Sequence, residues 1–244
     1  MQALIFAAGV SRRLAGYLEG KPKCLLSFAG KTLLERHMAN LARYGVGRVT
    51  VVTGYLADTI ERGYAAFPGL AIRFARNDRF REGSILSMIR GLETAGPDDL
   101  LLMDADVLYE PEVLGRLVRA KGCAFLLDET AAETGEEMML GARDGLVRTI
   151  ARRVGADWDE VGEGVGFFRV TRELAPRLLA IAREHSAAGE TSLEYEAALD
   201  ILLREHPAGY AKVGDLAWTE IDFPADVERA AREILPRVLA AERT

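Results

Sequence analysis

A segment near the N-terminus combines a glycine with clustered basic side chains. It reads AAGVSRRL over residues 7–14 and, after a short gap, KPK over residues 21–23. A glycine that follows a buried strand lets the backbone approach a ligand closely and frees amide N–H groups to face an anion. Arginine adds a forked donor and lysine a point charge, and both suit phosphate oxygens. The segment therefore predicts a phosphate-binding loop, with a solvated basic surface loop as the alternative.

Two acidic side chains lie at the end of an apolar run. Asp104 and Asp106 close the stretch LLLMDAD over residues 100–106. Residues two apart on a strand share a face, so both carboxylates can approach one ion. Carboxylates with few softer ligands nearby suit Mg²⁺, which bridges phosphate oxygens. The alternative is that these acids cap the next turn.

The charge distribution indicates a small anionic ligand. Of the 31 basic residues only five are lysines, and three of these lie within residues 21–31. Residues 1–31 hold five basic side chains against one acid, a charge of +4, in a chain whose net charge is −6. An acidic body with one local cationic segment is not typical of a protein that binds nucleic acid or membranes.

The elements that must position these residues alternate between strands and helices as far as about residue 128. The predicted strands are 3–8, 48–53, 71–75, 100–104 and 124–127, and the predicted helices are 32–44, 57–65, 84–94 and 112–120. Such alternation predicts an α/β fold of three layers, in which helices cover both faces of a parallel sheet.

The second half follows a different pattern, in which charged turns separate several of the strands. Strands are predicted at 138–141, 146–150, 165–170, 210–213 and 218–221, and helices at 172–185, 193–206 and 224–239. No linker or repeat divides the chain, which predicts a single domain over residues 1–244. Ligands of open α/β sheets lie beyond the carboxyl ends of the strands, so we expect the turns that carry Gly9, Asp106 and Asp222 to converge there.

The N-terminal part resembles a known family. The motifs AAGVSRRL and KPKCLLSFAGKTLLER are similar in order and spacing to those of nucleotidyltransferases with a nucleotide-diphospho-sugar-transferase-like fold. The resemblance implies that Rossmann-like fold, with a mostly parallel mixed sheet, and a loop around the triphosphate of a nucleotide. It implies that Arg13 and Lys23 stabilise charge at the α-phosphate. The nucleotide-binding positions that it implies in this loop are Ala8, Gly9, Ser11 and Arg12, of which the last two replace the family's usual glycine and Ser/Thr.

The same resemblance implies roles for the acids. In the family, the acid that is followed by valine binds the metal, and here that is Asp106. The ending W-x-E-I-D-x-x-x-D over residues 218–226 is similar to that of cytidylyltransferases acting on phosphocholine and related phosphorylated or phosphonate compounds. That match implies Asp222 as the second ligand of a Mg²⁺ ion, with Glu220 supporting the site. Asp226 is better explained as a cap of the last helix.

Two further groups complete the predicted site. Gly83 and Ser84 lie where relatives bind the nucleobase, and a plain N-cap at Ser84 is the alternative. The strand that begins near Glu163 resembles the border of the family's acceptor pocket. A phosphocholine acceptor needs aromatic and acidic groups around its quaternary ammonium. The acceptor-binding candidates are Glu163, Trp158, Phe167 and Tyr195, with packing as the alternative role of each aromatic side chain.

Together these residues predict a Mg²⁺-dependent enzyme that transfers CMP from CTP, or from another nucleoside triphosphate, to a small phosphorylated or phosphonate acceptor. Residues 1–128 would bind the nucleotide and residues 129–244 the acceptor. The alternatives are a sugar-1-phosphate nucleotidyltransferase, a molybdenum-cofactor guanylyltransferase and, from another class, a non-catalytic nucleotide-binding regulatory subunit. We expect a cytoplasmic protein, because no targeting segment or cysteine motif is present. The acidic charge balance predicts that it has no nucleic-acid or membrane partner. A homodimer is left open.

Overall fold

Strands and helices alternate through the first half of the structure, a computed structural model. It describes residues 1–18, 20–131, 133–155 and 157–243, apart from the Arg12 side chain. The described strands are β1 Gln2–Ala7, β2 Ser27–Phe28, β3 Lys31–Thr32, β4 Arg48–Thr53, β5 Ala71–Arg76, β6 Leu100–Asp104, β7 Val107–Tyr109, β8 Ala124–Asp128, β9 Met139–Arg143, β10 Leu146–Ala151, β11 Glu160–Val170, β12 Gly209–Lys212 and β13 Trp218–Glu220. The described helices are α1 Ala15–Leu18, α2 Leu33–Arg43, α3 Ala57–Gly63, α4 Ser84–Thr94, α5 Pro111–Arg119, α6 Ala175–Ala187, α7 Glu196–Glu205, α8 Pro224–Arg229 and α9 Leu235–Glu242.

One mixed sheet extends through both halves of the chain. Its strand order is β10-β9-β11-β6-β1-β4-β5, and off this path β8 pairs with β11 and β12 pairs with β8. β1 pairs in parallel with β4 and β6, and β4 pairs in parallel with β5, because helices connect these strands. β11 runs antiparallel to β6, β8 and β9, so one long strand joins the second half to the first. The predicted mixed α/β sheet is confirmed.

Helices cover both faces of this sheet. Ile85 of α4 and Leu199 of α7 belong to the core on one face, and Met38 of α2 belongs to the core on the other. Successive residues of β1 supply both cores, since Leu4 faces the first and Ile5 the second. All five side chains are almost completely buried. None of the helices in the described ranges is both long and apolar enough to cross a membrane.

A third apolar cluster joins the C-terminal helices to the segment after β1. Leu14, Leu108, Ile221 and Val238 are buried together. A π-helical turn, Ala230–Ile234, separates α8 from α9, so the helix predicted over 224–239 is interrupted. This packing places the basic N-terminal segment beside the end of β13.

Candidate active site

A small ladder outside the main sheet brings two acidic turns together. β7 begins directly after Asp106, β13 ends two residues before Asp222, and Val107 pairs with Glu220 in the antiparallel ladder. The Ile221 N–H donates to the carbonyl oxygen of Asp106 at 3.2 Å. Carboxylate oxygens of Asp106, Glu220 and Asp222 consequently lie within 4.8 Å of one another.

Lys23 lies between two of these carboxylates. Its Nζ is 2.6 Å from Asp106 Oδ2 and 2.6 Å from Asp222 Oδ1, and only 11% of its side chain is exposed. A 3₁₀ turn over Lys23–Leu25 positions it, with Cys24 buried beneath. Although burial opposes the charge, Asp106 and Asp222 hold the pKa of Lys23 above its ordinary value. The ammonium is therefore a fixed positive charge in the cleft at neutral pH.

The acidic cluster fits a divalent cation. Asp106 Oδ1 is buried, and it accepts no hydrogen bond from any residue that the structure describes. An orphaned buried carboxylate oxygen is costly unless a cation or donor binds it. The donor set of Asp106, Glu220 and Asp222 consists of oxygen ligands alone, which suits Mg²⁺.

A cavity of about 340 Å³ opens beside this cluster. Ala8, Gly9 and Ser11 of the loop after β1 line one side, and Lys23 and Ser84 line others. The cavity lies beyond the carboxyl end of β1, which is where open α/β sheets bind ligands. Most of the residues predicted to bind the nucleotide thus border one space.

The loop after β1 offers backbone donors to this cavity. Within the described ranges, the N–H groups of Gly9 and Val10 donate to no protein acceptor. Ser11 has a φ of 51°, in the left-handed region that favours glycine. Ser11, which replaces the family's usual glycine, therefore has a backbone conformation that glycine adopts more readily. Free amide groups in such a turn suit an anion.

Arg13 lies at the rim of the cleft rather than in this cavity. Its Cζ is 4.7 Å from the centroid of the Phe223 ring. Its Nη1 is 3.7 Å from Glu136 Oε2, and 60% of the side chain is exposed. The structure thus places Lys23 in the wall of the first cavity and Arg13 at the rim of the cleft. The Arg12 side chain, which is predicted to bind the nucleotide, lies outside the part of the chain that the structure describes.

A second cavity of about 210 Å³ adjoins the first. The two share Ser84, Asp104, Asp106 and Tyr195 in their walls. Tyr195 Oη donates to Asp104 Oδ2 at 2.7 Å. Burial, together with the negative charges of Asp106 and Glu196, raises the pKa of Asp104 well above its ordinary value. Asp104 therefore lies between the two cavities, beside the acidic cluster rather than in it.

The structure separates the four predicted acceptor residues. Phe167 and Tyr195 line the second cavity. Glu163 lines a neighbouring acidic cleft instead, and burial raises its pKa to about 7. Trp158 is not part of either cavity wall, because its ring packs on Gly141. Only two of the four thus lie together.

Sequence reasoning missed three polar residues of the second cavity. These are Glu136, Arg152 and Glu196. Glu196 is in the first turn of α7, where an acid is common because it interacts favourably with the helix dipole. Its residue type and position therefore carried no signal of a binding role.

The loop before α4 connects the two cavities. Gly83 occupies the N-cap position, so Ser84 is not the cap, and Ser84 Oγ instead accepts from the Tyr195 N–H at 2.8 Å. The Gly83 N–H donates to the Thr191 carbonyl oxygen at 2.7 Å. A Cβ on Gly83 would lie 2.0 Å from the Leu193 carbonyl oxygen. The backbones approach so closely that only glycine fits.

Gly83→Ala is expected to lower the free energy of unfolding by about 2–4 kcal/mol, because the new methyl group meets backbone that cannot yield. Urea denaturation followed by circular dichroism measures this change in the free energy of unfolding. Gly63→Ala is the matched control, since nothing lies within 4 Å of its Cβ position, and it should be neutral or stabilising by up to about 1 kcal/mol. Equal effects of the two substitutions would contradict the close approach at Gly83.

Comparison with known proteins identifies relatives of this chain. It is 26% identical over 246 residues to the CMP-5'-(3-aminopropyl)phosphonate synthase of Streptomyces rubellomurinus, with 94% of this chain and 38% of that protein covered. It is 22% identical over 253 residues to the CTP:phosphoglutamine cytidylyltransferase of Campylobacter jejuni, with 93% of this chain and 98% of that protein covered. The chain therefore spans less than half of the first relative and nearly all of the second.

Solved structures share the fold. The inositol-1-phosphate CTP transferase of T. maritima superposes with a TM-score of 0.81 at 18% identity, over 97% of this chain and 95% of that one. This likeness confirms the fold that the sequence motifs implied. Residues 3–193 match the MobA-like NTP transferase domain. The match covers most of the chain, and the protein therefore belongs to the family of MobA-like NTP transferase domains.

Proposed function

We propose that the protein transfers CMP from CTP to a small phosphorylated or phosphonate acceptor and releases pyrophosphate. The observation that carries this proposal is the pair of adjoining cavities that meet at Asp104 and Asp106, with Lys23 beside the junction. One space suits a nucleoside triphosphate and the other a second substrate. A CMP-phosphonate synthase and a CTP-dependent cytidylyltransferase are among the relatives, which supports cytidine as the nucleoside.

The proposed reaction is an in-line displacement. An oxygen of the acceptor attacks the α-phosphorus of CTP, and a new P–O bond forms as the bond to the β-phosphate oxygen breaks, so that pyrophosphate leaves. A phosphate or phosphonate oxygen is already anionic near neutral pH, so no general base is required. Residues of this chain contribute alignment and neutralisation of charge.

We assign residues of this chain to the phosphate groups of CTP and to the metal ion. The unpaired N–H groups of Gly9 and Val10 would bind the phosphate chain, and Lys23, in the wall of the first cavity, would stabilise charge at the α-phosphate. Arg13 would add its guanidinium from the rim. Asp106 and Asp222, supported by Glu220, are the residues that would hold Mg²⁺. The ion, when bound, supplies positive charge to the phosphate oxygens.

The two halves of the chain are proposed to bind different substrates. Apart from Tyr195, the first cavity is lined from residues 1–128, whereas residues 129–244 supply most of the wall of the second. The junction therefore belongs to both halves. A cytoplasmic location and a homodimer stay predictions.

A pyrophosphate-release assay tests the proposed function. CTP, UTP, GTP and ATP are each combined with phosphocholine, phosphoethanolamine, 2-aminoethylphosphonate, inositol 1-phosphate, hexose 1-phosphates and the molybdenum cofactor, with acceptor-free reactions as controls. We expect the highest kcat/KM for CTP with a phosphorylated or phosphonate alkyl acceptor. Turnover only with hexose 1-phosphates, or only with GTP and a molybdenum cofactor, would assign one of the alternative transferases. No pyrophosphate release with any pair would indicate a non-catalytic nucleotide-binding subunit.

A further inference from the structure

The second cavity carries more negative charge than the described residues around it balance. Its wall includes Glu136, Glu194 and Glu196, and Arg152 supplies positive charge. Arg152 Nη2 is 2.9 and 3.2 Å from the two carboxylate oxygens of Glu194. Glu136 lies 3.7 Å from Arg13. Glu136 and Glu194 therefore each have a basic partner, and a fourth glutamate of the wall, Glu220, belongs to the acidic cluster with Asp106 and Asp222. Glu196 forms no salt bridge with a described residue, although Arg152 lies close enough to attract its charge.

Glu196 holds a buried acceptor atom without a donor. Its Oε2 is inaccessible to solvent and accepts no hydrogen bond from the described part of the chain. The residue begins α7 directly after Tyr195, which fixes its backbone at the cavity wall. Burial, reinforced by the nearby Glu194 carboxylate, raises the pKa of Glu196 to about 7. Such an oxygen costs free energy unless a ligand provides the missing donor.

Three aromatic side chains of this cavity, Phe125, Phe167 and Phe168, already pack against other rings. Phe125 and Phe168 stack with ring centroids 4.3 Å apart. Phe167 meets Tyr109 edge to face at 5.0 Å. A cage for a quaternary ammonium needs open ring faces around the cation. An N–H donor beside Glu196 is the better match, because a quaternary nitrogen has no hydrogen to donate.

We propose that the acceptor carries a primary ammonium group and that Glu196 binds it. This inference rests on the proposed function, which makes the second cavity the acceptor site. The phosphonate or phosphate end of the acceptor then lies at the junction beside Asp106, and the ammonium lies at Glu196. A neutral polyol or sugar leaves Glu196 Oε2 without a charged partner, and charge-assisted hydrogen bonds are the stronger ones. Glu196 thereby determines specificity.

Calorimetry with a matched pair of ligands tests this assignment. Propylphosphonate has nearly the shape of 2-aminoethylphosphonate but carries a methyl group in place of the ammonium. The wild-type protein should bind the amine at least about 30-fold more tightly, and Glu196→Gln should remove that advantage while changing the affinity for propylphosphonate by less than about threefold. Both ligands are measured with and without a non-hydrolysable CTP analogue. Phosphocholine and phosphoethanolamine form a second pair, in which the primary amine should bind more tightly.

Glu205→Gln is the matched control variant. It makes the same substitution on the same helix, but its carboxylate lies outside the cavity and pairs with Arg177 at 2.6 and 2.8 Å. It should leave the ratio of the two affinities unchanged. Thermal unfolding of both variants verifies that they are folded.

Several outcomes would overturn the inference. They are equal binding of the two phosphonates by the wild-type protein, no binding of the amine at all, and an equal loss for both ligands in Glu196→Gln. If phosphocholine binds as tightly as phosphoethanolamine, the aromatic side chains, and not Glu196, recognise the ammonium group of the acceptor. Failure of the proposed function is seen separately, because calorimetry still reports the selectivity of the cavity when no nucleotide supports pyrophosphate release.

Discussion

Asp106→Ala is expected to lower CTP-dependent pyrophosphate release by at least about 10³-fold, since a bound cation stabilises charge by several kcal/mol and each 1.4 kcal/mol is tenfold in rate. The substitution removes one of the three clustered carboxylates. It also removes a partner 2.6 Å from the Lys23 ammonium. The orphaned Oδ1 disappears with the side chain, so the fold should remain intact.

Two measurements separate loss of the site from loss of the fold. Binding of Mn²⁺, followed by electron paramagnetic resonance, should weaken together with activity, whereas the circular dichroism spectrum should not change. Asp58→Ala is the matched control, because Asp58 is an exposed carboxylate paired with Arg76 on the surface. It should keep wild-type activity. Near-wild-type turnover of Asp106→Ala would remove Asp106 from the proposed site.

The elements of the first half were predictable because their signals are local. The bounds of β4, α4 and β6 are those that the sequence predicted. β4 is the run RVTVVT, whose β-branched residues favour a buried strand. α2 begins at a capping box formed by Thr32 and Glu35, which are three residues apart. Signals of this kind do not depend on the rest of the fold.

Elements set by distant pairing could not be predicted in the same way. β7 has only three residues, too few to show a period, and it exists because it pairs with β13 more than 100 positions away. The first residues of β11, Glu160–Gly162, precede the predicted strand and read as part of a charged turn, yet they pair with β9. Whether such segments form strands is therefore determined by tertiary contacts.

In the candidate site, too, some residues could be predicted from local signals and others depend on tertiary contacts. The convergence of Gly9, Asp106 and Asp222 follows from the rule for strand ends in open sheets, and the structure places these turns around adjoining cavities. Trp158 and Glu196 could not be assigned, because their roles depend on which way a side chain points after packing. A tryptophan with acidic neighbours reads like a binding residue, and a glutamate at a helix start reads like a cap.

Lys23→Ala is expected to lower kcat by about 10²–10³, the loss typical of one preorganised group that stabilises charge in the transition state. The reason is its position: Nζ lies 2.6 Å from both Asp106 and Asp222, in the wall of the first cavity. Because the ammonium acts on charge that grows during the reaction, kcat should fall more than KM for CTP rises. Steady-state pyrophosphate release over a range of CTP concentrations measures both.

Two further variants test the position as well as the charge of Lys23. Lys31→Ala removes an exposed lysine from the same basic segment, where it pairs with Glu242 outside the cleft, and it should leave kcat unchanged. Lys23→Arg keeps the charge, but the larger planar guanidinium does not fit a slot that a compact ammonium fills between two carboxylates, so it should restore only part of the rate. A raised KM with an unchanged kcat in Lys23→Ala would make Lys23 a residue that only binds the nucleotide. Equal losses in Lys23→Ala and Lys31→Ala would mean that the overall charge of the segment matters, and the position of Lys23 does not.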